Sequence, residues 1–325
     1  MPIRQPIVCV LGHIDSGKTS LLDKIRKSSV QAREVGGMTQ HIGASFFPVA
    51  TLKELTRPLL KEWKARIGIP GLLVIDTPGH EAFVNLRKRG GAAADIAILV
   101  IDILRGFEAQ TYECVEILKA RKTPFLVAAN KVDRLPGWVS KPSDPFLKSY
   151  QSQDVYVRQD FDEHLYAMMG TFSQLGFRSD RFEKIIDFAK TIALVPVSAK
   201  TGEGIPELLA VLVGLTQEYL RKQLRTTKGA AKGTVLEVKE EAGLGVTVNA
   251  VIYDGVLRRG DTVVIGGREK PISTKVRAVL LPKPLDEIRD PRDKFSSVDE
   301  VAAASGVKIA APDLEGAIAG APLYA

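Results

Sequence analysis

Apolar residues in the first part of the chain come in short unbroken runs, each closed by glycine or a polar residue. Residues 7–11 run into Gly12, 72–75 into Asp76, 96–101 into Asp102, 125–129 into Asn130 and 193–197 into Ser198. A strand covered on both faces needs a continuous run of this kind, so the pattern predicts a parallel sheet with helices on either side. Between the runs, residues 20–25 open a helix, and 108–120 fill another with Tyr112, Val115 and Leu118 about a turn apart. Residues 180–190 are helix-like, and 205–220 close the series with Pro206 in the first turn, where its missing N–H costs nothing. Residues 28–50 carry glycines and no clear period and predict a long flexible loop. Residues 134–149, with Pro136, Gly137, Pro142 and Pro145, predict an irregular excursion.

The period changes after a linker over residues 222–232. Residues 233–238, 245–252, 261–265, 274–281 and 306–310 are short β-rich runs, and 253–260 form a turn-rich connection. This spacing predicts a small all-β barrel. With 325 residues the chain should fold as more than one unit. An apolar content of 45% with 26% charged residues excludes a disordered chain, and no apolar stretch is long enough to span a bilayer. Cys9 and Cys114, without a motif between them, fit a reducing cytoplasm rather than a disulfide framework. The net charge is +7; residues 229–325 hold 13 basic and 14 acidic side chains, which leaves +8 on residues 1–228. That excess is compatible with an RNA partner, with a bound nucleotide, or with a plain solvated surface.

Open α/β sheets bind ligands at the carboxyl ends of their strands, and each closing residue named above sits there. Gly12-His13-Ile14-Asp15-Ser16-Gly17-Lys18-Thr19 matches the phosphate-binding pattern G-x-x-x-x-G-K-[ST] between a strand and a helix. Its backbone N–H groups, from Asp15, Ser16, Gly17, Lys18, Thr19 and Ser20, suit a phosphate at a helix N-terminus. Lys18 should bridge the β and γ phosphates and the Thr19 hydroxyl should ligate Mg²⁺. Asp76-Thr77-Pro78-Gly79-His80 offers a carboxylate to hold Mg²⁺ through water. The N–H of Gly79 can approach a γ-phosphate because no Cβ intervenes. In Asn130-Lys131-Val132-Asp133, a carboxylate at 133 accepts from guanine N1–H and the exocyclic amine, a pair that adenine lacks. Asn130 can tie this loop to the phosphate loop and the Lys131 stem can lie over the base. Ser198-Ala199-Lys200 offers a backbone N–H to the guanine O6. Four elements in this order predict GTP and GDP, not ATP, as ligands. The expected organisation is an α/β P-loop GTPase domain with a mostly parallel sheet over residues 1–225, then a small β-barrel domain over 226–325.

These motifs resemble those of the translational GTPases, and His80 after the glycine is a mark of that group. The wording Gly36-Gly37-Met38-Thr39-Gln40-His41-Ile42-Gly43-Ala44 resembles the family of initiation factor 5B and its bacterial counterpart, initiation factor 2. So do the segments 71–83 and 89–102 and the barrel segment Asp254-Gly255-Val256-Leu257-Arg258-Arg259-Gly260-Asp261. Pro136-Gly137-Trp138 and the long excursion before Ser198 favour the archaeal and eukaryotic branch.

The resemblance implies switch loops near residues 28–50 and 76–90, with Thr39 closing over Mg²⁺ and His80 orienting the attacking water. It implies an apolar gate of Ile14 and Met38, and K⁺ or Na⁺ on Asp15. A loop-bracing role for that carboxylate, and a surface or capping role for His80, stand as the plain alternatives. His41, without companions at ligand spacing, reads as a packing residue. Ser16 stands where many relatives carry histidine. The implied partners are both ribosomal subunits with their RNA and other initiation factors, for a cytoplasmic monomer without membrane contact. Two further domains beyond residue 325, one for initiator tRNA, are also implied. The rivals are another translational GTPase, a GTP-sensing ribosome-binding module that does not turn over, and a metabolic ATPase or kinase, which Asp133 disfavours.

Overall fold

The computed structural model describes residues 3–26, 43–63, 66–76, 94–142, 144–241, 243–282 and 295–325. The first unit runs β1 (Ile7–Gly12), α1 (Lys18–Arg26), β2 (Gly43–Pro48), α2 (Val49–Glu62), β3 (Gly71–Asp76), β4 (Ile96–Asp102), α3 (Ala109–Arg121) and β5 (Phe125–Asn130). It continues with α4 (Phe146–Gln151), α5 (Val155–Gln174), β6 (Arg178–Arg181), β7 (Thr191–Pro196) and α6 (Ile205–Tyr219). These strands form a seven-stranded sheet in the order β2-β3-β1-β4-β5-β7-β6. All neighbours are parallel except β2, which runs antiparallel to β3. Every residue of β1, β3, β4 and β5 is buried, as their unbroken apolar runs require. The chain passes to β3 on one side of β1 and to β4 on the other, so β1 is the switch point of the sheet.

The structure departs from the sequence pattern in four places here. Residues 43–48, expected in a loop, form the antiparallel edge strand β2, and α2 follows directly. Residues 180–190 are not helical: Arg178–Arg181 pairs in register with β7, and a short 3₁₀ turn at Phe182–Lys184 follows. A free sheet edge with donors and acceptors to satisfy outweighs weak helical periodicity. In α3, Tyr112 is exposed, and Thr111, Cys114, Val115 and Leu118 form the inward face. The excursion ends in α4 and the long α5, which buries Val157, Phe161, Leu165, Met168 and Phe172 along one face. Trp138 stacks on Phe146 with ring centroids 6.2 Å apart, and Tyr150 and Phe161 close the cluster.

The second unit holds β8 (Lys232–Glu241), β9 (Gly245–Asp254), β10 (Val256–Arg258), β11 (Thr262–Ile265), β12 (Ile272–Lys275) and β13 (Ala278–Leu281). It ends with β14 (Ser296–Val298), β15 (Glu300–Ala302), β16 (Ser305–Ala310) and β17 (Pro322–Tyr324). An antiparallel eight-stranded sheet has the order β12-β11-β17-β8-β9-β16-β13-β14, and β10 pairs with β15 alongside it. The expected run over 274–281 is two strands. They break at Val276 and Arg277, where Val276 N–H donates to Asp261 and Arg277 N–H to Ala310. Alternate residues such as Val248, Ala250 and Ile252 point into a core shared with Val263, Val279, Val307 and Ile309. Among the described residues no helix is long and apolar enough to cross a membrane.

A third apolar cluster joins the two units: Ile7, Ala44, Leu73 and Ile75 pack against Leu236, Val251 and Ala304. The Gln5 side-chain amide donates to the Ala304 carbonyl beside it. Gly306 lies so close to β2 that a Cβ added there would sit 2.9 Å from the Ala44 methyl. Gly306→Val should therefore force the two sheets apart and cost about 1–3 kcal/mol. Chemical unfolding of both chains measures this, and an unchanged midpoint would show that the contact is slack.

Candidate functional site

The carboxyl ends of β1, β3, β4, β5 and β7 bring the sequence motifs to one edge of the sheet. The phosphate-binding loop leaves β1 at Gly12 and enters α1 at Lys18. Its path needs residues that accept unusual backbone angles. Asp15 stands at φ 64° and Gly17 at φ 94°, and Ser16 N–H donates to His13 O at 3.2 Å. Gly17 has a second reason to lack a side chain, since a Cβ there would lie 2.3 Å from Asn130 Nδ2.

Asn130 joins three of the motifs. Its Nδ2 donates to Ser16 O at 2.8 Å, and its Oδ1 accepts from Ala199 N–H at 2.9 Å. Ser198 Oγ donates to Asp133 Oδ1 at 2.6 Å, and Thr201 N–H donates to Ser198 Oγ at 3.0 Å. Asn130, Asp133, Ser198 and Ala199 thus form one connected group that reaches the phosphate loop. Lys131 adopts a left-handed conformation at φ 71°, and Lys200 is exposed at the rim of the group.

Lys18 is buried, and its ammonium donates to Gly12 O at 2.9 Å and His13 O at 2.7 Å. Burial pushes its pKa below the usual lysine value, while the carboxylates of Asp76 and Asp15 pull the other way. An ammonium held in a loop lined with backbone N–H groups is suited to meet an anion, which would restore its charge preference. Thr19 and Asp76 are both buried, Thr19 next to Lys18 in the first turn of α1 and Asp76 at the end of β3, in register with Gly43 of β2. Hydroxyl and carboxylate oxygens suit a hard cation such as Mg²⁺, which takes few protein ligands and several from phosphates and water. Among the described residues no group of three or more His, Cys, Asp or Glu could hold a metal by itself. Asp15 is exposed at the outer side of the loop. Ser16 Oγ is buried without a hydrogen-bond partner among the described residues. Ser20 is half-buried in the first turn of α1. Met38, Thr39, His41, Gly79 and His80 lie outside the described residues.

The sequence reading gave no role to several residues that hold the site. Asp102, at the end of β4, accepts from Lys131 Nζ at 2.7 Å and from Leu104 N–H at 3.0 Å. Its place at a strand's carboxyl end was the available signal. His13 pairs with Glu108, and Ile14 N–H donates to Gln110 Oε1 at 3.0 Å, so the phosphate loop is braced by the start of α3. No spacing rule points to those two contacts.

The family model described as "Elongation factor Tu GTP binding domain" matches residues 3–218. A protein of Methanopyrus kandleri named "Probable translation initiation factor IF-2" is 59% identical over 322 residues, which are 99% of this chain and 54% of its own length. The like-named protein of Staphylothermus marinus is 56% identical over 99% of this chain and 53% of its own. The crystal structure of GDP-bound aIF5B from Aeropyrum pernix is similar with a TM-score of 0.90 at 56% identity, over 99% of this chain and 54% of that one. Apo elongation factor SelB from Methanococcus maripaludis covers 100% of this chain and 55% of its own, with a TM-score of 0.62 at 19% identity, and bears on the fold alone. The chain spans about half the length of the relatives it matches.

Removing the Asn130 amide strands Ser16 O and Ala199 N–H. Asn130→Ala should cost about 1–3 kcal/mol for each such group that stays dry. Urea unfolding without nucleotide reads this directly; a loss below the error of the titration would mean that water replaces the amide.

Proposed function

Since the chain belongs to the family of the elongation factor Tu GTP-binding domain, we propose that it is the GTP-binding and GTP-hydrolysing part of a translation initiation factor. In this reading the factor promotes joining of the ribosomal subunits, and the ribosome stimulates hydrolysis. The observation that carries the nucleotide part is the Asn130 side chain, which holds a phosphate loop and a guanine-reading loop at one sheet edge. The names of the relatives support the initiation part.

The chain's own residues have the following tasks. Lys18 turns from its loop carbonyls to the β and γ phosphates, and N–H groups of residues 15–20 donate to the same oxygens. Thr19 directly, and Asp76 through water, would hold Mg²⁺, which would supply positive charge to the phosphates. Asp133 accepts from N1–H and the exocyclic amine of guanine, and Ser198 fixes its angle. Ala199 supplies the N–H for O6, and the Lys131 stem, held by Asp102, lies over the base. Exposed Asp15 is the residue that would hold K⁺ or Na⁺. Thr39 would close over the Mg²⁺ side and His80 would orient the water, two roles that rest on family resemblance, while the Gly79 N–H would meet the γ-phosphate. Residues 226–325 form the barrel unit that docks on the small subunit. The working partners are both subunits, ribosomal RNA and other initiation factors, for a cytoplasmic monomer.

Base specificity is tested by Asp133→Asn, which should weaken GTP and improve binding of xanthosine triphosphate, whose ring carries an oxygen in place of the amine. Calorimetric affinities for both nucleotides decide it, and an unchanged preference sinks the assignment of Asp133.

Turnover with and without ribosomes separates a hydrolase from a sensor, because a sensor gains nothing from them. His80→Ala should leave GTP affinity within a few-fold and lower ribosome-stimulated turnover by about a hundred-fold or more. Equal losses in affinity and rate, or no loss of rate, would remove His80 from the transition state.

A further inference from the structure

The excursion between β5 and β6 meets the guanine-reading loop at one carboxylate. Glu203 is fully buried at 0% exposure. Its Oε1 accepts from Trp138 Nε1 at 3.3 Å, from Lys141 N–H at 3.0 Å and from Ser149 Oγ. Its Oε2 accepts from Thr201 Oγ1 at 2.6 Å. The first three donors belong to the excursion and the fourth to the loop that carries Ser198, Ala199 and Lys200. The backbone repeats the connection: Ser198 N–H donates to Glu203 O at 2.9 Å, and Gly204 N–H donates to Asp144 O in the excursion at 3.2 Å.

From this joint the contacts lead to the base. Thr201 N–H donates to Ser198 Oγ, and Ser198 Oγ donates to Asp133 Oδ1. The loop has little freedom to settle elsewhere. Gly204 stands at φ 73°, with its Cα so near Pro196 that an added Cβ would lie 2.0 Å from the Pro196 oxygen. Trp138 and Ser149 donate from buried positions, where an unpaired polar group is costly, so these two contacts hold the carboxylate in place against the part-buried donors of Lys141 and Thr201. On the excursion side the anchor is held by packing, since Trp138 lies against both Phe146 and Phe161.

We infer that Glu203 is a positioning residue through which the excursion holds the base loop, so that discrimination of guanine from hypoxanthine depends on Trp138 and Ser149. A carboxylate that only fastened the excursion to the sheet would need donors from the excursion alone; the Thr201 donor and the Ser198 backbone contact make it a coupling. The inference rests on the proposed reading of Asp133 as the partner of the guanine amine.

Inosine diphosphate, which lacks that amine, is the probe. Calorimetric affinities for GDP and inosine diphosphate are compared in the wild-type chain, Ser149→Ala, Trp138→Phe and Glu203→Gln. Each variant should lower the ratio of the two affinities by about fivefold or more, the size of one poorly made polar contact. Ser149→Ala removes a single hydroxyl and carries the test if Glu203→Gln does not fold. A role confined to stability would lower the thermal midpoint and leave the ratio intact, and that result overturns the inference alone. A wild-type chain without preference for GDP overturns the reading of Asp133 and the inference with it.

Discussion

The Asn130 amide uses both of its polar ends on loops other than its own, one on the phosphate side and one on the base side. A nucleotide site needs those two loops at a fixed separation, because the ligand has a fixed length. The sheet supplies most of that separation. β1 and β5 both lie beside β4, and Asn130 stands in register with Asp102 at its end. The amide then ties the two loops together across that separation. The cost is visible in the neighbours: Gly17 must forgo a side chain to let the amide in, and Gly12 must do so to pass the Val100 carbonyl, 2.3 Å from where its Cβ would be. Two glycines of the phosphate loop are thus fixed by protein packing before any phosphate is considered.

Charge at the site is arranged around cations that the protein satisfies only in part. Lys18 is buried on two carbonyl oxygens, which solvate an ammonium less well than phosphate oxygens would, and its pKa is depressed accordingly. Lys131 has the opposite treatment: Asp102 fixes its charged end, leaving the methylenes as an apolar surface. One lysine is held on carbonyl oxygens, and the other has its charged end fixed by a carboxylate. Identical side chains get different duties from the carboxylates within reach.

The strands were legible because a strand buried on both faces has to be apolar throughout, and each run ended at the residue that the site uses. The motifs were legible for the same reason, since they follow those ends directly. The misses have a different physics. Edge strands β2 and β6 are held by pairing, and Arg178–Arg181 is polar throughout, so hydrophobic period could not find it. The apolar stripe of α5 was present in the sequence, but the irregular excursion reads only over residues 134–149, and no element is assigned to the stretch that forms this helix. Glu203 and Glu108 could not be read at all, because their meaning lies in donors from distant parts of the chain.

Those distant contacts also decide how the two units relate. β2 follows the segment that carries Thr39, and its first residue stands opposite Asp76, the carboxylate assigned to Mg²⁺. The next residue, Ala44, is in the cluster that joins the sheets and faces Gly306 of β16. Ile75, one place before Asp76, is in the same cluster. On both strands, therefore, the position on the side assigned to Mg²⁺ and the position in contact with the barrel are adjacent residues. Interiors are close-packed and compress little, so a displacement of β2 or β3 at this point has no slack in which to dissipate. It must either carry β16 with it or open the Ala44–Gly306 contact. The absence of a side chain at Gly306 brings the two backbones close enough for that choice to exist.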